Sequence, residues 1–280
     1  MVEPGRYGKR LVVTSRWSNA ISQYILGQNI EELYLNYARG WKGKNLSFLS
    51  ELPHLKAFSI IDWNISDISQ IHTLHSLKKL EISTYCKTEI NFEEFPSIEE
   101  CSLEWRAKAK SIFNCKSLKK LFVNHYSGRN TFKFSHLVEL ESLSIANAPG
   151  KTLDGLSSLR KLKFLGLYNL KKLKSLSGIE SLTLLEELEV NGCWSLPSIT
   201  EVSYLLNLKK LQLCDDRSLE SIKPLAKLNK LESFLFYEST DVVDGDLSPL
   251  MKLDNLSHLS FQERPHYSHR KMDFTLRPTV

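Results

Sequence analysis

Apolar residues recur along this chain in one fixed phrase, which is written eleven times. Counting from a first leucine or isoleucine as position 0, positions +3 and +5 are also apolar, as in Leu77, Leu80 and Ile82. Because residues two apart lie on the same face of a β-strand, each phrase predicts one strand with positions +3 and +5 facing a core. At intervals of 20 to 25 residues, the phrase starts at Ile30, Leu55, Leu77, Ile98, Leu118, Leu140, Leu162, Leu185, Leu208, Leu231 and Leu256.

The second half of each unit is apolar at about every third residue. In the unit 55–76, Ile65, Ile68, Ile71 and Leu74 follow the strand phrase at this spacing. A period of three suits a tight 3₁₀ turn or a short helix. One such coil cannot close its own core, so the pattern predicts that the coils stack and that their strands form one parallel sheet.

These two patterns, L-x-x-L-x-L and I-x-x-I-x-x-L-x-x-L, resemble the leucine-rich repeat family over about residues 8–264, and within it the short 22-residue, internalin-like type. The resemblance implies an α/β solenoid. This would be a right-handed superhelix with a curved parallel β-sheet on its concave face and short helices or 3₁₀ turns on its convex face. The family normally carries Asn at position +8, where this chain has none. We therefore expect an uneven solenoid with wider corners, especially in units two to five.

The segments that flank the repeats predict caps for the ends of the core. Leu11 and Val13 precede the first phrase by about one period and predict a starter strand. The segment after them predicts a helix with Ser18 or Asn19 as N-cap and Gly27 as its stop. No linker is visible, so we expect a single domain over 1–280, with an N-terminal cap over 1–29, about eleven repeats over 30–264 and a C-terminal cap over 265–280.

At the other end, the segment KMDFTL alternates Met272, Phe274 and Leu276, and this alternation predicts a capping strand.

Composition limits the class of protein. Hydrophobic residues make up 42% of the chain and charged residues 25%, which is typical of soluble globular proteins. No apolar run follows Met1 or approaches 18 residues, so we expect neither a signal peptide nor a membrane contact. The 5 cysteines are odd in number and none is close to another, which indicates reduced thiols. These features predict a cytoplasmic protein, which we expect to be a monomer on its own.

No pattern in the sequence predicts catalysis. There is no glycine-rich phosphate loop, no G-x-S-x-G and no H-E-x-x-H. His72 and His75 lie three apart without acidic or thiol neighbours, so surface or packed histidines explain them better than a zinc site. We expect no enzyme activity, no cofactor and no metal.

Aromatic side chains are concentrated in the columns that point away from the core. Positions +2, +4 and +6 alternate with the buried positions, and +7 and +8 form the rim of what the resemblance implies is the concave binding face. Exposed Trp and Tyr are the anchors that protein interfaces use. The alternative that Trp63, Tyr85 and Tyr126 fill the corner left by the missing Asn stays open. The aromatic residues of these columns include Tyr34, Tyr37, Trp63, Tyr85, Trp105, Phe122, Tyr126, Tyr168 and Tyr237.

Charge in the same five columns has the opposite sign to that of the chain. Eleven acids stand against five bases there, although the formal net charge of the whole chain is +5. The acids are Glu32, Asp62, Glu81, Glu100, Glu104, Glu187, Glu189, Asp215, Asp216, Glu238 and Glu263, and the bases are Lys79, Arg106, Lys120, Lys210 and Arg264. Chance partition is one explanation, and a basic protein partner steered by charge is the other. The sidedness argues against nucleic acid on the concave face.

Three functions compete at this point. The first is a non-enzymatic protein-recognition module, in concrete form a cytosolic inhibitor or immunity-type protein that covers a basic effector. The second is a sensor or adaptor, or a fragment of a larger receptor, because the segment 185–199 resembles repeats of plant disease-resistance receptors. The third, an enzyme, is disfavoured because no site supports it. The residues expected to bind protein are Tyr34, Trp63, Glu81, Tyr85, Glu104, Trp105, Arg106, Phe122, Tyr126, Tyr168, Glu189 and Tyr237.

Overall fold

The computed structural model describes residues 1–278, and their contacts form two compact units. The first unit is Met1–Asn124. Its strands are β1 (Val2–Pro4), β2 (Lys9–Val13), β3 (Ile30–Asn36), β4 (Ala57–Ile61), β5 (Lys79–Ser83), β6 (Glu100–Glu104) and β7 (Lys120–Asn124). Its helices are α1 (Asn19–Gly27) and the 3₁₀ helices Tyr37–Arg39, Ser47–Glu51, Ser69–Thr73, Phe92–Glu94 and Ala107–Asn114.

The second unit starts at His125. Its strands are β8 (Ser142–Ala146), β9 (Phe164–Tyr168), β10 (Glu187–Asn191), β11 (Lys210–Cys214), β12 (Ser218–Leu219), β13 (Ser233–Tyr237), β14 (Asp241–Val242) and β15 (His258–Phe261). Its 3₁₀ helices are Phe132–His136, Asp154–Leu156, Thr200–Tyr204, Lys223–Lys227, Ser248–Lys252 and Lys271–Asp273.

The strands stack in the order and register that the phrases predict. In the first unit β2 to β7 pair in parallel in chain order, and in the second β8, β9, β10, β11, β13 and β15 do the same. Each position of one phrase lies opposite the same position of the next, as Phe58 lies opposite Leu80. The short strands β12 and β14 form a separate parallel pair. The parallel stack expected from the sequence is therefore confirmed within each unit.

The predicted core columns are buried. Positions 0 and +5 are buried in all eleven phrases, and +3 is buried in all but the last, where Leu259 is half-exposed. Side chains of the return halves, such as Ile68 and Ile71, complete each coil from the opposite side. Each buried aliphatic side chain contributes about 1.5–3 kcal/mol relative to exposure, so these repeated columns provide the main stabilisation.

The N-terminal cap has its predicted starter strand and helix, together with one further strand. Strand β2 pairs in parallel with β3, and α1 begins after Ser18, which is its N-cap. Strand β1 pairs antiparallel with β2 through a turn over residues 5–8. Gly8 has a φ of +145°, which side-chain-bearing residues rarely adopt, and this permits the turn. The sequence did not predict β1, because three residues are too few to show an alternating pattern.

The predicted C-terminal strand is wrong. Its first three residues form the 3₁₀ helix Lys271–Asp273 instead, the next three have no regular structure, and Met272 is 84% exposed. The Asp273 carboxylate accepts a hydrogen bond from the backbone N–H of Arg270 at 2.7 Å, and this local bond favours a turn over a strand.

The corners differ between the two units at position +7. In the first unit the +7 residues Tyr37, Asp62, Thr84 and Trp105 all have ordinary negative φ. In the second, six consecutive +7 residues are left-handed: His125, Asn147, Asn169, Gly192, Asp215 and Glu238, with φ from 53° to 69°. The +7 N–H extends the ladder in both units, as Asp62 N donates to Ser83 O at 3.1 Å and Asn169 N donates to Asn191 O at 2.7 Å. Asn, Asp and Gly tolerate the left-handed conformation best, and the second unit uses them at four of these six corners.

Candidate functional site

The face of each sheet opposite the core is built from positions +2, +4 and +6, as expected. In the second unit one row of this face runs from Gly166 through Glu189 and Gln212 to Leu235. Side chains in such a row lie about 4.8 Å apart, so groups on neighbouring strands are in contact range.

Four carboxylates define an acidic surface on the second unit, which we call the second-unit acidic surface: Glu187, Glu189, Asp215 and Glu238. All four are at least partly exposed. The bases of these columns in the second unit are Lys210 and Arg264. Lys210 lies 2.7 Å from Glu187, so that one charge is paired at the surface. Arg264 pairs with Asp241 at 3.2 Å. The remaining acids leave this face negative.

Tyr168 and Glu189 form one constellation on this surface. The Tyr168 hydroxyl donates a hydrogen bond to the Glu189 carboxylate on the neighbouring strand. Burial, and then the bond to Glu189, raise the pKa of Tyr168. The tyrosine ring reaches its partner across Gly166, where an added Cβ would lie 2.6 Å from the hydroxyl oxygen. The aromatic and acidic residues nominated here are therefore brought together, and a glycine provides the space.

Trp194 lies at the rim beside this surface and was not nominated from the sequence. It is 37% exposed, and its indole Nε1 donates to Asp215 at 3.4 Å. Lys171 Nζ lies 4.6 Å and Arg217 Cζ 4.8 Å from the indole ring centre, which are cation–π distances. Trp194 stands at position +9, outside the columns that the strand pattern could assign. The signal that the sequence offered was a tryptophan directly after Cys193.

Asp216, counted among the surface acids, is buried at 1% exposure. Its Oδ1 accepts a hydrogen bond from the Cys193 backbone N–H at 2.7 Å, whereas its Oδ2 has no hydrogen-bond partner within residues 1–278. Burial raises the pKa of this carboxyl to about 7. Asp216 is therefore part of the corner rather than of the binding face. Its inclusion among the surface acids in the sequence-based charge count is wrong.

Tyr237 is half-buried at the edge of the same surface. A hydrogen bond with the Cys214 thiol raises the pKa of its hydroxyl. It lies at +6, one strand beyond Cys214 in the register.

In the first unit three of the five acids of these columns are buried, which is a second correction. Glu32 is 0%, Asp62 5% and Glu100 9% exposed. Asp62 accepts a hydrogen bond from the Trp41 indole at 3.1 Å. Sequence columns could not show this, because the groups that cover these acids lie outside the strand phrases that carry the acids.

The N-terminal hairpin, composed of β1, β2 and residues 5–8, supplies the bases for the other two buried acids. Arg10 Nε lies 2.8 Å from Glu32, and Arg6 forms an ion pair with Glu100. Tyr7 N donates to Glu32 at 2.6 Å. The negative charge expected on this part of the first unit is therefore largely neutralised from within the chain.

Tyr34 and Glu81 share a lysine on the first-unit face. Lys79 Nζ lies 3.1 Å from the Tyr34 hydroxyl and 2.8 Å from a Glu81 oxygen. Arg10 covers the Tyr34 ring with its Cζ 4.2 Å from the ring centre. These two nominated residues are brought together, but with bases already bound to them.

The nominated residues at position +8 separate into exposed and buried positions. Tyr85 is 71% exposed and in contact with half-buried Trp63, with ring centres 4.6 Å apart. Arg106 and Tyr126 are buried, at 9% and 4% exposure. The expected rim exposure is wrong for these two, because each side chain fills its corner. For Tyr126 this is the alternative interpretation, whereas the burial of Arg106 was not anticipated.

The remaining first-unit residues keep some exposure. Phe122 is 37% exposed in the middle of β7 on the outward face. Glu104 and Trp105 are half-buried, and Glu104 accepts a hydrogen bond from Asn124 at 2.8 Å. Whether any of the nominated residues binds a protein stays a prediction.

The described residues contain no cluster that could hold a metal ion. Within 1–278, no group of three or more His, Cys, Asp or Glu side chains is arranged to hold a metal ion. His72 is engaged with the backbone, since its Nε2 accepts from Asn91 N at 2.9 Å. No helix in this part of the chain is long and apolar enough to cross a membrane.

Comparison with known proteins shows a likeness of fold. No protein-family model matches the chain, and no curated protein does. Internalin C2 of Listeria monocytogenes is similar in structure, with 19% identity, a TM-score of 0.51, and coverage of 76% of this chain and 83% of that one. An internalin of the same organism has 20% identity, a TM-score of 0.49 and coverage of 84% and 82%. A leucine-rich repeat protein of Leptospira interrogans has 17% identity, a TM-score of 0.44 and coverage of 89% and 81%. The fold is that of an internalin-like leucine-rich repeat solenoid.

Proposed function

We propose that this protein is a non-enzymatic recognition module that binds a basic segment of another protein on its second-unit acidic surface. The observation that carries the proposal is the negative face of a chain whose formal net charge is +5. Glu187, Glu189, Asp215 and Glu238 provide the charge, and Tyr168, Trp194 and Tyr237 lie beside them. Such a face steers a basic partner and disfavours a polyanion such as nucleic acid.

The mechanism is rigid presentation. Tyr168, Glu187, Glu189 and Tyr237 stand on strands, and Trp194, Asp215 and Glu238 stand on the corners that follow them. Ladder hydrogen bonds and buried columns hold the spacing of these strands, so little order is lost on binding. The aromatic side chains would contribute buried area, and the acids would contribute specificity and association rate. The Tyr168–Glu189 bond holds one acid in place before the partner arrives.

A narrower form of the proposal is a cytoplasmic, monomeric inhibitor of immunity type, which covers a basic effector such as a nuclease toxin. The acidic surface supports it, because a nuclease presents basic groups where it binds its substrate. The sensor or adaptor alternative has no observation of its own in the described residues.

The test is capture of partners from native cytosol by the full chain and by two charge-reversed variants. E189K/E238K changes the proposed surface, and D254K reverses an exposed acid in a return half. The proposal is supported if the unchanged chain and D254K both retain the same basic protein. Its affinity should be at least about tenfold lower for E189K/E238K, and added salt should lower its affinity further.

Equal retention of the same partner by both variants contradicts a role for this surface, provided that circular dichroism shows both to be folded. The inhibitor form is tested separately on the captured protein. If that protein is an effector whose activity is unchanged by saturating amounts of the chain, the inhibitor form is wrong while recognition stands.

A further inference from the structure

Cys86 differs from the other cysteines in both position and surroundings. It follows β5 and is half-exposed, whereas Cys101, Cys193 and Cys214 are buried. Cys115 is also half-exposed, so exposure alone does not distinguish it from Cys86. All five are free thiols.

A buried guanidinium is aimed at the Cys86 sulfur. Arg106 is only 9% exposed, and its Nη1 lies 3.3 Å from Cys86 Sγ. No carboxylate within residues 1–278 forms an ion pair with Arg106, and its Nε has no hydrogen-bond acceptor there. A buried charge without a counter-ion is costly. The sulfur of Cys86 is the group within reach that can carry a balancing negative charge.

Thr84 completes the arrangement. Its Oγ1 lies 3.1 Å from Cys86 Sγ, and Arg106 Nη2 donates to the same Oγ1 at 3.1 Å and to the Thr84 carbonyl at 3.2 Å. Since the Thr84 oxygen already accepts from the arginine, its proton is free to point at the sulfur. Two donors therefore converge on one sulfur atom, which is the arrangement that a thiolate prefers.

The pKa shifts of the two half-exposed thiols, Cys86 and Cys115, agree with this geometry. Burial by itself raises the pKa of the Cys86 thiol, but the hydrogen bonds from Thr84 and Arg106 and the charge of Arg106 lower it below its ordinary value. Burial without such donors raises the pKa of the Cys115 thiol to about 12.

We propose that Cys86 is a thiolate-forming modification site that exchanges with small disulfides. In the exchange, the Cys86 thiolate attacks one sulfur of the disulfide and forms a new S–S bond to it. The old S–S bond breaks, and the second sulfur leaves as a thiolate that carries the electron pair. Electrons and charge balance without any further oxidant. The modified sulfur loses its negative charge, so Arg106 loses its counter-ion when the group is attached.

The test measures the reaction of each cysteine in the full chain with 2,2′-dithiodipyridine, an uncharged disulfide, over a range of pH and with site assignment by mass spectrometry. At neutral pH, Cys86 is expected to react at least about tenfold faster than Cys115. Its rate should reach half-maximum at a lower pH in the folded chain than in guanidinium chloride. The C86S variant should lack the fast reaction, which assigns that reaction to Cys86.

The T84V variant tests the mechanism without removing the buried arginine. It removes one of the two donors with little change of volume. The half-maximal pH of Cys86 is expected to rise, and its rate at neutral pH to fall at least about threefold. Cys115 in the same sample is the control and should not change.

Two results would overturn the proposal. One is a folded-state midpoint for Cys86 that equals or exceeds that in denaturant. The other is a preference for Cys86 over Cys115 that persists undiminished in denaturant, since that would assign it to local sequence rather than to Arg106.

Discussion

Arg10 Nε lies 2.8 Å from an oxygen of Glu32, whose carboxylate is fully buried under the N-terminal hairpin. Both residues stand where the strand pattern predicts open surface. The ion pair therefore attaches the hairpin to the first-unit sheet. It also neutralises Glu32, which the sequence-based charge count had assigned to the binding face.

The R10A variant should destabilise the chain, because it leaves the buried Glu32 carboxylate without its cation. We expect a loss of about 2–4 kcal/mol in the free energy of unfolding, measured with urea. The K9A variant, at an exposed neighbouring position, should change it by less than about 0.5 kcal/mol. Recovery of stability in R10M/E32M would support desolvation of the unpaired charge as the cause. Equal behaviour of R10A and K9A would contradict a stabilising role.

Stability should fall with rising pH through the titration of Asp216. Burial raises the pKa of this carboxyl from 3.8 to about 7 in the folded chain. Below pH 4 the group is protonated in both states. Between pH 4 and 7 the folded chain keeps a proton that the unfolded chain releases, so the free energy of unfolding decreases by about 2–4 kcal/mol.

The D216N variant should lack this decrease, because an amide keeps the acceptor for Cys193 N and has no charge to bury. Above pH 7 it should be more stable than the unchanged chain, by about 2 kcal/mol in urea unfolding. D254N controls for the loss of one negative charge at an exposed position. A parallel pH profile for D216N and the unchanged chain would show that Asp216 is not responsible.

Glu238 is the least suitable residue among the left-handed corners, with a φ of 61°. E238N should raise the free energy of unfolding by about 0.5–1 kcal/mol, because Asn adopts this conformation at lower cost. E232N changes an exposed glutamate outside the left-handed corners and should not stabilise. If the proposed binding surface is correct, E238N should also lower the affinity for the partner. Stability and affinity would then change in opposite directions. A destabilised E238N would contradict strain at this corner.

Gly166 keeps Tyr168 over the sheet. In G166A the new Cβ meets only the movable end of the Tyr168 ring, so we expect the chain to stay folded while the ring loses Glu189. The pKa of Tyr168, raised by burial and by Glu189, should fall towards the ordinary tyrosine value in an ultraviolet titration. G150A is the control, since its Cβ would make only an ordinary contact at 3.8 Å. Unchanged tyrosine titration in G166A would disprove the positioning role.

The sequence by itself determined the repeat, the parallel order of the strands and the buried columns. Positions such as Phe58 and Leu80 could be assigned because each strand alternates with a period of two, and eleven copies make the period unmistakable. The start of α1 was predictable to within one residue, at Ser18 or Asn19, because an N-cap depends on neighbours in the chain; the structure places it at Ser18. The left-handed corners at Asn147, Asn169 and Gly192 also had a local signal, because Asn and Gly favour this conformation. The assignment of buried and outward positions did not use it.

Only the tertiary structure decided which outward positions are open. Glu32 and Glu100 are covered by arginines of the N-terminal hairpin, and Asp216 is enclosed in its own corner. Arg106 is buried against Cys86, 20 residues before it in the chain. The physical reason is that alternation assigns a side chain to a face of its strand, whereas exposure and charge pairing depend on distant segments whose position no local pattern records.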